Sequence, residues 1–314
     1  MFGQLPGLFG KDFAIGYFLP ATAIALAAAG VLALFGDLAV LLKLAENEAT
    51  LGTTLALAVV WLFSIVLMAL NRSIVRFLEG YGAFNPLQVF LPLQVEQFRA
   101  LTEEAAALKK PIDAAKAAGR KPDQEIAVSR ARILIRIAAG FPDKEEWLLP
   151  TRLGNAIRAF EVYPRVVYGL EGIQGWSRLS AVVPEDYLRS INEAKAQLDF
   201  WVNLCVGGAG IALFYWALAA RAGACPDWWV SLLAVGAALL ANGAARGAAM
   251  EWGALIMSAF DLYRDDLCKK LGLEIPRSTT LEREMWIAFS NVTVYRSSKS
   301  ADKLTKFRPL DGSD

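Results

Sequence analysis

Four stretches of the chain stay apolar for about 20 residues, the length a helix needs to cross a bilayer. They run from about Phe13 to Phe35, Leu51 to Leu70, Phe200 to Ala220 and Trp228 to Ala248. The first two carry no charge, and buried helices of soluble domains are rarely so long and so uniformly apolar. The pattern predicts an all-α membrane protein, its four transmembrane helices arranged as two hairpins with a helical cytoplasmic domain between them. Residues 1–70 hold an N-terminal segment and the first hairpin, 71–198 the cytoplasmic domain, 199–250 the second hairpin, and 251–314 a cytoplasmic helical extension and tail.

Between the hairpins the apolar positions switch to helical spacing. Phe98, Leu101, Ala105 and Leu108 predict a helix over 93–108, bracketed by Pro92 and Pro111. A second runs from about Asp123 to Ala139 and stops at Gly140 and Pro142; a third starts near Thr151, a suitable N-cap, and ends before Pro164. Val183-Pro184-Glu185-Asp186 is a helix start, with Pro and acids in the first turn. Leu188, Ile191, Lys195, Leu198, Val202 and Cys205 then follow a 3-4 spacing, apolar except at Lys195. Cytoplasmic helix and third span therefore read as one rod of about 36 residues, roughly 54 Å long. The fourth span likewise continues through Phe260 to about Leu271, where Gly272 and Pro276 end it. Such rods either transmit movement or are simply rigid. Thr279 with Glu282 makes a capping box, opening a short helix whose apolar face of Leu281, Met285, Trp286 and Phe289 needs a partner surface.

Charge placement sets the orientation. The loop after the first span carries Asp37, Glu46 and Glu48 against Lys43, whereas Arg72 and Arg76 follow the second span and Arg264, Lys269 and Lys270 the fourth. Both termini are expected in the cytoplasm, in a bacterial inner membrane, with Trp228 and Trp229 at the outer interface. The first apolar stretch is too long for a signal-peptide core and a second span follows closely, so it reads as an anchor. Phe2, Leu5, Leu8 and Phe9 ahead of it either lie in the interface plane or fold back toward an oligomer axis. Pro20 is placed to kink the first span.

Composition narrows the chemistry. Hydrophobic residues make up 55% of the chain and charged ones 20%, and the net charge of +1 offers no basic stripe for nucleic acid. There is no histidine, which removes the commonest general base and metal ligand. Cys205, Cys225 and Cys268 fall in separate environments and read as small apolar residues. No phosphate loop, nucleophile elbow or dinucleotide fingerprint is present, and Asp265-Asp266 and Glu145-Glu146 are neighbours that do not share a helix face. No catalytic residue, cofactor or metal is expected, and the chain is not read as an enzyme.

Three groups remain as candidates. In the Gly/Ala-rich fourth span, Gly243 and Gly247 form a GxxxG spacing and Asn242, Arg246 and Glu251 fall toward its inner half. They predict a water-lined vestibule in a homo-oligomer, or else one helix–helix hydrogen bond and two interface charges. Arg130, Arg132 and Arg136 offer a site for an anionic ligand or lipid head group, or a solvated face. Arg152, Asn155, Arg158 and Glu161 make a polar stripe that Asp261 and Arg264 are placed to meet, either coupling the soluble domain to the fourth span or only holding the two together.

Two stretches carry a resemblance. One is Leu149-Pro150-Thr151-Arg152-Leu153-Gly154-Asn155, followed by Arg158, Glu161, Tyr163-Pro164 and Tyr168-Gly169; the other is Phe260-Asp261-Leu262-Tyr263-Arg264, followed by Leu271, Pro276, Glu282 and Trp286. With the span layout, they resemble a widespread family of uncharacterised bacterial four-span membrane proteins, from which no activity or site carries over. The leading expectation is a homo-oligomeric, channel-like or pore-forming protein regulated by its cytoplasmic domain. The alternative is a membrane-anchored scaffold or sensor that recruits a cytoplasmic partner through the basic helix and the Trp286 face.

Overall fold

The computed structural model describes residues 10–35, 49–225 and 227–309. The N-terminal apolar segment with Phe2, Leu5, Leu8 and Phe9, and the loop with Asp37, Lys43, Glu46 and Glu48, lie outside the described residues. Among the described residues all regular structure is helical. In chain order the helices are α1 (Lys11–Leu34), α2 (Ala49–Glu79), α3 (Leu91–Ala117), α4 (Gln124–Gly140), α5 (Arg152–Val167), α6 (Gly172–Leu179), α7 (Glu185–Ala222), α8 (Trp228–Lys270), α9 (Thr279–Tyr295) and α10 (Ser298–Leu304). Four of them, α1, α2, α7 and α8, are long and apolar enough to cross a membrane. Both α7, of 38 residues, and α8, of 43, are uninterrupted.

The chain divides into two compact units, Met1–Leu78 with Asn192–Ala249 and Glu79–Ile191 with Met250–Asp314. In the first, α7 touches the other three apolar helices. Gly207 and Gly208 do not break it, because their missing side chains admit neighbours. A Cβ on Gly207 would sit 2.4 Å from Ile24 of α1, and one on Gly208 3.0 Å from the Ala234 carbonyl of α8. Val31, Tyr215 and Val230 close the far end of the same packing.

In the second unit, Leu101, Phe141 and Leu148 form a core with Phe98, Ile133 and Ile137, so α3 and α4 lie together. A second core gathers around the last part of α8. Phe160 of α5 meets Trp252 edge-on at 5.0 Å, and Tyr187 at the start of α7 meets Tyr263 at 5.5 Å. Trp252 and Tyr263 of α8 thus supply part of the interior of this unit.

Local readings from sequence hold at the Thr151 cap and fail at two prolines. Thr151 Oγ1 accepts from Gly154 N at 2.9 Å, and Asp123 Oδ1 from Glu125 N at 2.8 Å, as N-caps do. The helix expected to stop before Pro111 instead runs through it to Ala117. A mid-helix proline costs one backbone hydrogen bond and a local clash, and the packing of α3 along α4 offsets that loss. Pro164 is likewise inside α5. That helix ends at Val167 because Arg283 donates to the Val166 carbonyl at 2.6 Å and Gly169 takes a left-handed φ of 85°.

The capping box at Thr279 and Glu282 does not form. Ser278 holds the N-cap position without a side-chain bond, and Glu282 turns away to Arg264. A guanidinium is the stronger partner for a carboxylate than a backbone N–H. Met285, Trp286 and Phe289 of the α9 apolar face are covered within the unit and so are not free for a partner, whereas Leu281 stays exposed. Trp286 is 0% exposed, and Met285 Sδ lies 3.9 Å from Cys268 Sγ.

Candidate functional site

In the first unit the site grows from one face of α7. Lys195, Asp199 and Asn203 are spaced by four, so they stack along one side of the helix. Opposite them, α1 contains a π-helical turn over Ala14–Phe18 followed by Pro20. Proline has no N–H to give the carbonyl one turn earlier. Here that carbonyl belongs to Gly16, and Asn203 Nδ2 donates to it at 2.9 Å instead. The wider turn presents Tyr17, whose hydroxyl donates to Asp199 Oδ2 at 2.8 Å. Asn71 of α2 donates to Oδ1 at 3.0 Å, and Lys195 pairs with the same oxygen.

Asp199 is 4% exposed. Burying an ionised carboxylate costs several kcal/mol unless charge and hydrogen bonds repay it. Three donors on three helices do so, and the carboxylate pins α1 and α2 to α7. The nearby Lys11–Glu193 pair, at 2.8 Å, is exposed and adds little. Sequence reasoning noticed Lys195 as the polar exception on its stripe but missed Asp199 and Asn203. Their spacing was readable, whereas the Asp199 partners Asn71 and Tyr17 stand 128 and 182 residues away.

In the second unit residues of the stretches 149–169 and 260–286 converge. Tyr163 donates to the two Asp261 carboxylate oxygens at 2.9 and 3.1 Å, and Tyr168 donates to Oδ1 at 2.6 Å. Arg264 lies 4.5 Å over the Tyr168 ring and donates from Nε to Glu282 Oε1 at 2.9 Å. Trp286 Nε1 reaches the same glutamate oxygen at 3.4 Å. An acidic group, two phenols, a guanidinium and a buried glutamate thus share one network that joins α5, α8 and α9.

Burial first, and then the bonds to Asp261, push the Tyr163 and Tyr168 phenols above their ordinary range. The folded chain therefore keeps protons that the unfolded chain releases near pH 10. Their contribution to stability is complete below about pH 10 and is lost as pH rises through and beyond that value. In alkaline titrations followed by near-UV circular dichroism, the Tyr163→Phe/Tyr168→Phe variant is expected to lose stability with pH less steeply than the parent. Equal slopes above pH 10 would count against these two phenols.

The other residues singled out from sequence scatter. Asn155 is fully buried and serves the turn before α5. It accepts from Leu149 N at 2.7 Å and donates to the Leu149 carbonyl at 2.9 Å and to Gln94 at 3.2 Å. Arg158 pairs with Glu161 at 3.3 Å and donates to the Tyr81 hydroxyl. Arg152 is exposed. All of the stripe, together with Asp261 and Arg264, lies in the second unit, and Asp261 and Arg264 take tyrosines and Glu282 as side-chain partners. Arg130 is half-buried, its Nε donating to the Ala105 carbonyl at 3.2 Å, whereas Arg132 and Arg136 are exposed.

On α8, Asn242, Gly243, Gly247 and Glu251 are exposed and Arg246 is half-buried. A Cβ added at Gly243 or Gly247 would meet nothing within 4 Å. The buried positions Ala238, Ala241, Ala245, Ala248 and Ala249 turn another side of the helix inward. Among the described residues, no three of Cys, Asp and Glu group as a metal site requires. Comparison with protein-family models, curated proteins and solved structures finds no match to the chain.

Proposed function

We propose that the chain is a homo-oligomeric, channel-like protein of a bacterial inner membrane, with α8 toward the symmetry axis and the second unit as its regulator. In this reading α1 with α2 and α7 with α8 form two transmembrane hairpins, and both termini face the cytoplasm. The observation that carries it is the outward face of α8. Asn242 in the middle of an apolar helix is costly against lipid, and a GxxxG pair supports close helix approach only when another helix fills it. Neither finds such a partner among the described contacts of the protomer. A second copy supplies both needs, and a polar group on the axis side of each protomer gives water a path.

The expected result is an oligomeric mass in detergent and a conductance in planar bilayers. Gly243→Ile/Gly247→Ile is expected to lower the mass toward the monomer without lowering the thermal midpoint of the protomer. A monomeric parent without conductance would overturn the proposal. A second reading, a membrane-anchored scaffold or sensor, draws support from exposed Arg132 and Arg136 beside exposed Ile135 on α4. It no longer has the Trp286 face to recruit with. A protein partner recovered by the parent, and lost with Arg132→Glu/Arg136→Glu, would favour it.

A further inference from the structure

The segment that follows α2 inverts the usual placement of polar and apolar groups. Two of its polar side chains, Asn85 and Gln94, turn inward, and the exposed Gln88 is tied back to the backbone. Asn85, 7% exposed, accepts from Leu87 N at 2.9 Å and donates to the Tyr81 carbonyl at 3.0 Å. Gln88 Nε2 donates to the Gly80 carbonyl at 2.6 Å, and Gln94 is buried against Asn155 at 3.2 Å. Four of its large apolar side chains point out: Phe84 is 99% exposed and Val89 70%, with Phe90 and Leu93 exposed beside them, while Leu87 and Leu91 are half-buried.

The inversion is built in rather than incidental. Asn85 caps the 3-10 turn Pro86–Phe90, Pro92 sits in the first turn of α3, and these bonds hold the backbone in one shape. A flexible loop in water would be free to turn Phe84 and Val89 inward. This one spends its polar groups on fixing them outward, which is the arrangement of a surface made for a nonaqueous medium.

The chain itself says which medium. α2 stays apolar through Ile74, Val75, Phe77 and Leu78, with exposed Arg72 and Arg76 interleaved, as at a helix end among lipid head groups. Phe84 follows Glu79 by five residues, so even fully extended it lies within about 18 Å of the end of α2. We infer that residues 84–93 form a wedge that inserts its apolar side chains into the head-group layer of the bilayer that α2 crosses. The inference rests on the membrane reading proposed above and is independent of the oligomer and the pore.

Spin labels test it in the full-length chain, carrying Cys205→Ala and Cys225→Ser and reconstituted in vesicles of phosphatidylcholine and phosphatidylglycerol. Labels follow Phe84→Cys, Val89→Cys and Leu93→Cys, with Leu62→Cys as a mid-helix reporter and Glu103→Cys as a water reporter; all five positions are exposed. Collision with oxygen is expected to exceed collision with a water-soluble nickel chelate at 84, 89 and 93, as at 62, with the order reversed at 103. Nickel exceeding oxygen at 84, 89 and 93 while 62 stays in lipid would overturn the wedge alone. Protection from both reagents would overturn it in favour of a protein covering the face. Nickel access at 62 would instead overturn the membrane reading itself.

Discussion

Asp199→Ala is expected to cost the protein about 3–5 kcal/mol of stability, mostly because Tyr17 and Asn71 are left without their acceptor at roughly 1–3 kcal/mol each. The magnitude comes from what stays behind rather than from the carboxylate itself. The Tyr17 hydroxyl and the Asn71 amide lose their acceptor, and half-buried Lys195 loses this carboxylate. Asp199→Asn keeps the shape and one acceptor but not the charge, so a smaller loss of about 1–3 kcal/mol is expected. Replacing all four groups by apolar residues of similar size is expected to cost less than Asp199→Ala, because the donors are then removed together with their acceptor. Thermal unfolding in detergent, followed by intrinsic fluorescence, orders the three variants. An unchanged midpoint for Asp199→Ala would mean that this carboxylate does not clamp α1, α2 and α7.

Gly154→Ala is expected to destabilise the second unit by about 3 kcal/mol, at the upper end of what overpacking costs. Two effects oppose each other at this helical position. Alanine gains up to about 1 kcal/mol of helix propensity over glycine. Its Cβ, however, would stand 2.6 Å from the Glu79 carbonyl oxygen and 3.0 Å from the Glu79 Cα. Those are backbone atoms, and the adjoining Gly80 is locked in place by a φ of 96° and by the ring of Pro150. Neither side can yield, so the clash wins. The same change at Gly210, where a Cβ meets nothing within 4 Å, is expected to stabilise by about 0.4–1 kcal/mol. Unfolding of both variants, read by limited proteolysis and thermal midpoint, should give opposite signs. Equal effects would mean that the Gly154–Glu79 approach carries no energy.

The misread prolines and the missing capping box have one explanation. Proline, Ser/Thr and Glu preferences are local terms of a few kcal/mol or less. They prevail only where nothing larger is present. Pro111 and Pro164 each remove a backbone bond and so predict helix ends, yet both helices continue past them. Glu282 stood at the right spacing for Thr279, yet Arg264 offered it a charged partner. At Thr151 the local reading holds, its hydroxyl capping α5.

The apolar lengths of α1, α2, α7 and α8, the start of α7 after Pro184 and the continuity of the two long helices were all determined by sequence alone. Each depends on residues within a few turns of one another, where periodicity and backbone preference carry most of the energy. Only the tertiary structure decided that Asp199 would be shared by Tyr17, Asn71 and Lys195, and that Tyr163 and Tyr168 would close on Asp261. It also decided that Trp286 would be buried, and that Phe84 would be left outside while Asn85 turned in. Those outcomes depend on burial, and a buried polar group takes whichever partner the fold brings within about 3 Å. Residues more than a hundred positions apart can meet that condition, and no spacing along the chain records it.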